Sequence, residues 1–284
     1  MKLAIRPDHW CGRHDFSTKL WFVNISIQYM PELPDVEVFA KNLDKVFARK
    51  KLLKIKVVNG KKLPDTAASL SKNLVNKRLE KVYRSGKEFR FLFSDKTLLG
   101  LHLMLTGDLY IFRDKNEHHS TIVELYFEGG ENLALTDRMG NAQIKLDPVD
   151  RSGVDALELD FNYLKGIFNR KTTVKNILLD QDLIRGIGNG YSDEILWEAR
   201  ISPYSVAAAI PDAKIKELVK IIPRLLKEAA EQIDHAHPGK INDEAKEFLK
   251  IHRNKDKSPT GKQIQIDTKG SRKTYYTDEQ VLYE

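Results

Sequence analysis

From Pro34 onward, apolar residues recur at three- and four-residue spacing. Val36, Phe39, Leu43, Val46 and Phe47 share one face, which predicts an amphipathic helix. Pro34 suits its first turn, and Asp35 and Glu37 suit the positive end of its dipole. The period then shortens. Residues 51–60, 78–93, 97–112, 120–129, 132–137 and 142–146 alternate or run in short apolar blocks, so all read as strands. Asn59-Gly60, Thr106-Gly107 and Gly129-Gly130 supply turn chemistry between them. After Pro148 the spacing is helical again over 164–181, 192–200 and 211–236. A helix is expected to end at Gly186 and the next to begin near Ser192-Asp193. The polar, basic end carries two short β-like runs around Lys269-Gly270, which predict a hairpin. The pattern predicts an α+β multidomain chain. A helix and an antiparallel β-sandwich or flattened barrel fill residues 31–150, a helical domain fills 151–250, and a terminal hairpin fills 251–284. Residues 1–29 show neither period. They read as an appendage, or as sequence from an upstream start that the working protein does not use.

Composition narrows the class without changing this picture. Of 284 residues, 41% are hydrophobic and 31% charged, as in an ordinary globular protein. The net charge of +7 favours a polyanionic partner, nucleic acid before an anionic membrane, but only weakly. A single cysteine, Cys11, excludes an intramolecular disulfide and a cysteine-built zinc site. The eight histidines show no paired-ligand spacing. No apolar run reaches the ~18–20 residues that span a bilayer, and the first 29 residues lack a secretory h-region, so a cytoplasmic protein is expected.

The chemistry concentrates in four places. Met30-Pro31-Glu32 reads like a protein start placed inside a chain. Within a peptide bond, proline nitrogen has its lone pair delocalised and carries no N–H. Freed by cleavage after Met30, it is a secondary amine able to attack an aldehyde-level sugar carbon and form an iminium ion, and Glu32 is placed to move protons. Any Pro-Glu pair can simply lead into a helix, so the surrounding PELPDVE carries the weight. In YRSGKEFRF (83–91), Lys87 follows a turn glycine; alone it reads as a surface charge. LIRGIGNGYSDEILWEA (183–199) is a glycine-rich turn into a helix, where N–H groups favour phosphate and Asn189 adds an amide. GSRKTYY (270–276) puts Arg272 at the hairpin turn, equally consistent with a solvated basic terminus.

Together these segments resemble the family of bifunctional DNA glycosylases that includes formamidopyrimidine-DNA glycosylase and endonuclease VIII. MPELPDVE is similar to that family's N-terminal signature, RSGK to the segment carrying its lysine, and HLMLTGDL (102–109) to its HLGMSG segment. Residues 170–203 resemble its helix–two-turn–helix motif, and 251–276 its C-terminal finger. The resemblance implies an N-terminal catalytic sandwich, a helix–two-turn–helix domain and a finger. It implies Pro31 as nucleophile at C1′ of a damaged nucleotide, Glu32 as general acid/base, and Lys87, Asn189 and Arg272 at phosphates near the lesion. It extends DNA contact to Lys175 and Gly188. It also implies Leu105, Arg138 and Met139 as side chains that fill the space left by a flipped base. The expected partner is double-stranded DNA with oxidised bases or abasic sites, bound by a monomer.

Four departures sharpen the expectation. Lys257, Thr260, Thr277 and Gln280 stand where the family's finger usually has zinc-binding cysteines, so a zincless finger and no cofactor are expected. The loop at Asp137-Arg138-Met139-Gly140 is shorter than the family's DPRRFG. The stretch 236–253 is short, which leans towards oxidised pyrimidines or ring-opened purines. Asp35 stands where glutamate is usual. The leading reading is a glycosylase with AP lyase activity. A module that binds damaged DNA without cutting follows if residues 1–29 stay attached. A structural helix–turn–helix protein explains the charge but not Pro31-Glu32.

Overall fold

The structure, a computed structural model, describes residues 30–253, 255–270 and 272–284. The expectation about residues 1–29 lies outside them. The predicted first helix is α1 (Leu33–Phe47), and its stripe is buried: Val36, Phe39, Leu43 and Phe47 are each at most 1% exposed. Eight strands follow: β1 (Leu52–Val57), β2 (Leu79–Ser85), β3 (Glu88–Phe93), β4 (Leu98–His102), β5 (Gly107–Phe112), β6 (Thr121–Phe127), β7 (Asn132–Asp137) and β8 (Gln143–Leu146). They form two antiparallel four-stranded sheets, in orders β1-β6-β7-β5 and β2-β3-β4-β8. Phe89, Phe91 and Phe93 of one sheet share a core with Val123, Leu125, Phe127, Leu133 and Leu135 of the other, and α1 seals its edge. Alternation along β3 and apolar pairing between the two sheets thus give the expected sandwich.

The run 97–112 forms two strands that part beside the Thr106-Gly107 turn signal. It breaks at Leu103–Thr106, where Gly107 N–H bonds back to Leu103 O at 2.9 Å, and its halves enter different sheets. A Cβ on Gly107 would sit 2.1 Å from that oxygen, so only glycine permits the turn. A short helix, α2 (Ala67–Leu74), was not signalled; Thr66 caps it by accepting from Ser69 N–H.

The second half begins with a two-stranded parallel pair, β9 (Val154–Asp155) and β10 (Ile184–Arg185). Between these strands lie α3 (Phe161–Phe168) and α4 (Val174–Leu179), where one helix was expected. Thr173 interrupts the pattern as the N-cap of α4. The helix expected to reach Gly186 ends at Leu179; Gly186 follows β10 with φ +105°. The next helix, α5 (Asn189–Glu198), starts three residues earlier than its sequence pattern suggested. The long α6 (Asp212–Ala236) buries Leu218, Ile222, Leu226 and Ile233. The predicted hairpin is present as β11 (Gln265–Asp267) and β12 (Thr274–Tyr276). No helix among the described residues is long and apolar enough to cross a membrane.

Candidate active site

Glu32 precedes α1 in an extended conformation and reaches across to the start of α5, 156 residues away. A helix start leaves N–H groups without intrahelical partners, and together with the helix dipole they favour an anion. Here that anion is a side chain. Gly188 N–H donates to Glu32 Oε2 at 2.7 Å, Gly190 N–H to Oε1 at 2.8 Å, and Tyr191 N–H to Oε2 at 3.2 Å. Gly188 is required by space rather than by backbone angle: a Cβ there would lie 2.3 Å from Glu32 Cδ. One residue on, Leu33 N–H bonds to Gly186 O at 3.1 Å. The expectation that this glycine turn offers its N–H groups to phosphate changes in one respect: Glu32 takes those of Gly188, Gly190 and Tyr191, while Gly188 itself lines the cleft.

Glu32 opens onto a cleft of about 520 Å³ between the sandwich and the helical domain. Pro31 is buried between Met30 and Glu32, both of which line this cleft. Lys87, on the turn joining β2 and β3, forms part of the wall; Asn189 at the head of α5 and Arg272 on the hairpin turn form others. Three chain regions more than 80 residues apart thus converge as the sequence suggested. Burial pushes the Lys87 ammonium below its usual range, Glu32 draws it back up, and Arg272 lowers it further. Asn189 donates to Lys273 O at 2.8 Å, while its buried Oδ1 has no hydrogen-bond partner among the described residues.

Behind Glu32 lies a buried acidic cluster. Asp35 accepts from Glu32 N–H at 3.2 Å and from Ala245 N–H at 3.1 Å. Burial, only partly offset by these donors, pushes Asp35 up to about 7. Glu244, paired with Lys246 at 3.0 Å, is pushed up to about 8 for the same reason. Lys246 itself lines the cleft. The short 236–253 stretch is thereby tied to α1.

Leu105, half exposed, projects at the cleft mouth from the β4–β5 turn. Arg138 and Met139 are exposed on the β7–β8 turn. Lys175 is different, and its assignment as a DNA contact is corrected. Its ammonium is buried, 2.7 Å from Asp193 Oδ1 and 2.9 Å from Thr274 Oγ1, so it fastens β12 to the helices. Sequence reasoning missed His102. It lines the cleft, and its Nδ1 accepts from Met104 N–H at 2.8 Å. It sits inside the HLMLTGDL segment, where its spacing from the turn was the available signal.

The finger residues do not fit zinc. Thr260 and Thr277 hydroxyls donate to the same oxygen, Glu279 Oε2, at 2.8 and 3.1 Å. Gln280 accepts from Thr277 N–H at 2.9 Å and donates to Ile201 O at 2.8 Å. Lys257 brings no thiolate, and Cys11 is the chain's one cysteine. Arg200 pairs with Glu279 at 2.9 Å, and Trp197, Ile251, Ile264 and Tyr275 make a small apolar core beneath the hairpin.

Residues 30–143 match the model of the formamidopyrimidine-DNA glycosylase N-terminal domain, and residues 153–237 match that of its H2TH domain. A formamidopyrimidine-DNA glycosylase of Lactobacillus gasseri is 32% identical over 210 residues, covering 68% of this chain and 75% of the relative. The chain belongs to the formamidopyrimidine-DNA glycosylase family. Membership places it among the DNA glycosylases of base excision repair. The Carboxydothermus hydrogenoformans relative is likewise 32% identical over 206 residues, covering 69% and 76% of the two chains. In fold, the chain resembles a Lactococcus lactis Fpg in complex with abasic-site DNA, with TM-score 0.79 and 22% identity over 88% of this chain and 99% of that one.

Proposed function

We propose that the protein is a bifunctional DNA glycosylase and AP lyase that removes oxidised bases through an iminium intermediate at Pro31. The observation that supports this reading is Glu32 on the wall of the cleft, beside the buried Pro31, with its carboxylate held by three N–H groups and with Lys87, Asn189 and Arg272 lining the same cleft. Once Met30 and the residues before it are removed, the Pro31 amine attacks C1′ of the damaged nucleotide. The glycosidic bond breaks, and the base leaves with a proton. Glu32, next to Pro31 and on the cleft wall, serves as the proton shuttle during sugar opening and base loss. The iminium acidifies the C2′ protons. Loss of one expels the 3′ phosphate oxygen by β-elimination, and a further elimination expels the 5′ oxygen. Lys87, Asn189 and Arg272 grip phosphates of the flipped nucleotide. Leu105, Arg138 and Met139 enter the gap left in the stack. The finger presents Arg272 without zinc, held by Glu279 and the apolar cluster, and the protein acts as a monomer.

The short 236–253 stretch supports a preference for oxidised pyrimidines or ring-opened purines over 8-oxoguanine. Excision of thymine glycol, a ring-opened purine and 8-oxoguanine from otherwise identical duplexes tests this; dominant 8-oxoguanine release defeats it. A second reading follows from the bond between Met30 and Pro31. While it stands, Pro31 nitrogen is an amide, and the same cleft binds damaged or abasic DNA without cutting it.

A further inference from the structure

Two neighbouring turns of the β-sandwich, between paired strands, carry exposed apolar tips. The β4–β5 turn carries Met104 and Leu105, 37% and 53% exposed. The β7–β8 turn carries Met139, 57% exposed. Both turns hold unusual backbone, with Met104 at φ 57° and Gly140 at φ +64°. Glycine takes this conformation freely, whereas Met104 holds it only where its surroundings fix the turn.

One buried carboxylate supplies that support to both. Asp137, the last residue of β7, is 3% exposed. Its Oδ1 accepts the Thr106 hydroxyl from the first turn and Met139 N–H, at 2.9 Å, from the second. Its Oδ2 accepts Asn141 N–H at 2.6 Å and Ala142 N–H at 2.7 Å. Burial alone raises an aspartate, but the Thr106 hydroxyl and these N–H groups outweigh it and hold Asp137 below the usual range. Only a carboxylate offers acceptors to all four donors, since an amide replaces one oxygen with a donor. Lys62 closes the second turn from outside, donating to Met139 O at 3.2 Å and to Asn141 Oδ1 at 2.6 Å.

We propose that Asp137 is a positioning residue that locks the two turns together, so that Leu105 and Met139 enter the DNA stack as one wedge. The proposal rests on the wedge role given to those side chains above. A wedge must resist being pushed back as bases unstack. Two short turns joined through a shared buried acceptor yield less than two independent ones. The Thr106 hydroxyl is the side-chain group through which the first turn reaches this shared carboxylate.

The test uses the full chain, so it does not depend on Pro31. The probe is a duplex with a tetrahydrofuran abasic-site analogue and 2-aminopurine opposite it, whose fluorescence rises when that base is unstacked. Thr106→Val keeps the shape and removes the linking donor. Its midpoint for the fluorescence rise is expected to move about tenfold to higher protein concentration, with affinity for the same abasic strand when single-stranded held within about twofold. Combining Thr106→Val with Leu105→Ala is expected to add little to Leu105→Ala alone. Asp137→Asn, checked for folding by thermal melting, is expected to shift the midpoint further. If Leu105→Ala and Met139→Ala both leave the signal unchanged, the wedge reading and this proposal fall together. If those two lower it while Thr106→Val matches the unchanged chain, or weakens single-strand binding equally, only the locking role of Asp137 is overturned.

Discussion

Gly188→Ala isolates the interaction that holds Glu32. The backbone at Gly188 is extended, with φ −118° and ψ −165°, so alanine meets no conformational penalty there. The whole effect comes from one methyl group. That methyl would sit 2.3 Å from Glu32 Cδ, 2.6 Å from Oε1 and 2.7 Å from Cγ. Glu32 must swing away and give up its bonds to Gly188, Gly190 and Tyr191. Hydrogen bonds to a charged group contribute about 1.5–3 kcal/mol each and are not additive, so a stability loss of roughly 2–4 kcal/mol is expected. The larger effect is on chemistry. A displaced acid/base group costs about 10²–10⁴-fold in rate. Gly190→Ala is the control two residues on. Its Cβ would lie 3.3 Å from Glu32 Oε1, close enough to need only a small shift of a side-chain end. Replacing a helical glycine by alanine stabilises by ~0.5–1 kcal/mol, which offsets that shift. The assay is single-turnover excision of a ring-opened purine by the chain starting at Met30, followed on denaturing gels. Gly188→Ala should lose most of the rate and Gly190→Ala should stay within about threefold, as two near-identical glycines with different clearance require. Equal rates for Gly188→Ala and the unchanged protein would refute the reasoning that Glu32's position matters.

Other outcomes follow from the same geometry. Asp35 holds its proton up to about pH 7 when folded, against 3.8 for an ordinary aspartate, and Glu244 up to about 8, against 4.5 for an ordinary glutamate. Between those limits the folded protein binds more protons than the unfolded chain, so stability should fall as pH rises from about 4 to 8 and level off above. The Asp35 contribution is at most roughly 4 kcal/mol, and Asp35→Asn should flatten the slope of urea midpoint against pH between 5 and 8; an unchanged slope contradicts it. Glu279→Ala removes the shared acceptor of Thr260 and Thr277 and the partner of Arg200, and should speed hydrogen exchange across 257–281 and weaken abasic-DNA affinity about tenfold. EDTA should leave the unchanged protein's DNA affinity intact, and a large loss would mean that a metal holds the finger after all.

Local patterning made much of the fold legible. The α1 stripe, the strands of the sandwich and α6 stand where apolar spacing put them, because each buries the face that its period creates, and the terminal hairpin stands around Lys269-Gly270 although its first strand buries no residue. Breaks were harder. Thr173 splits one apparent helix because a residue that caps α4 does not disturb the apolar period around it. The Thr106-Gly107 signal marked the turn after β4, but nothing local says that the strands on its two sides join different sheets. At the site, Pro31, Glu32, Lys87, Asn189 and Arg272 were legible as a set, because the segments carrying them occur in a recognisable order. Their partners were not. The rule that helix starts attract anions was sound at Gly188, but the anion comes from Glu32, a contact no spacing reveals. Lys175 was expected at the DNA, and its buried partner Asp193 is likewise a contact that no spacing reveals.

The most direct test of the central claim is where a sugar becomes attached. The chain starting at Met30, with that methionine clipped and confirmed by mass spectrometry, is mixed with abasic-site DNA and sodium borohydride. The covalent complex is then digested and its peptides are mapped. The account predicts efficient trapping with the sugar remnant on the Pro31 nitrogen, and none with the unprocessed 284-residue form. Trapping by the unprocessed form, or a remnant on a lysine instead of Pro31, would contradict it.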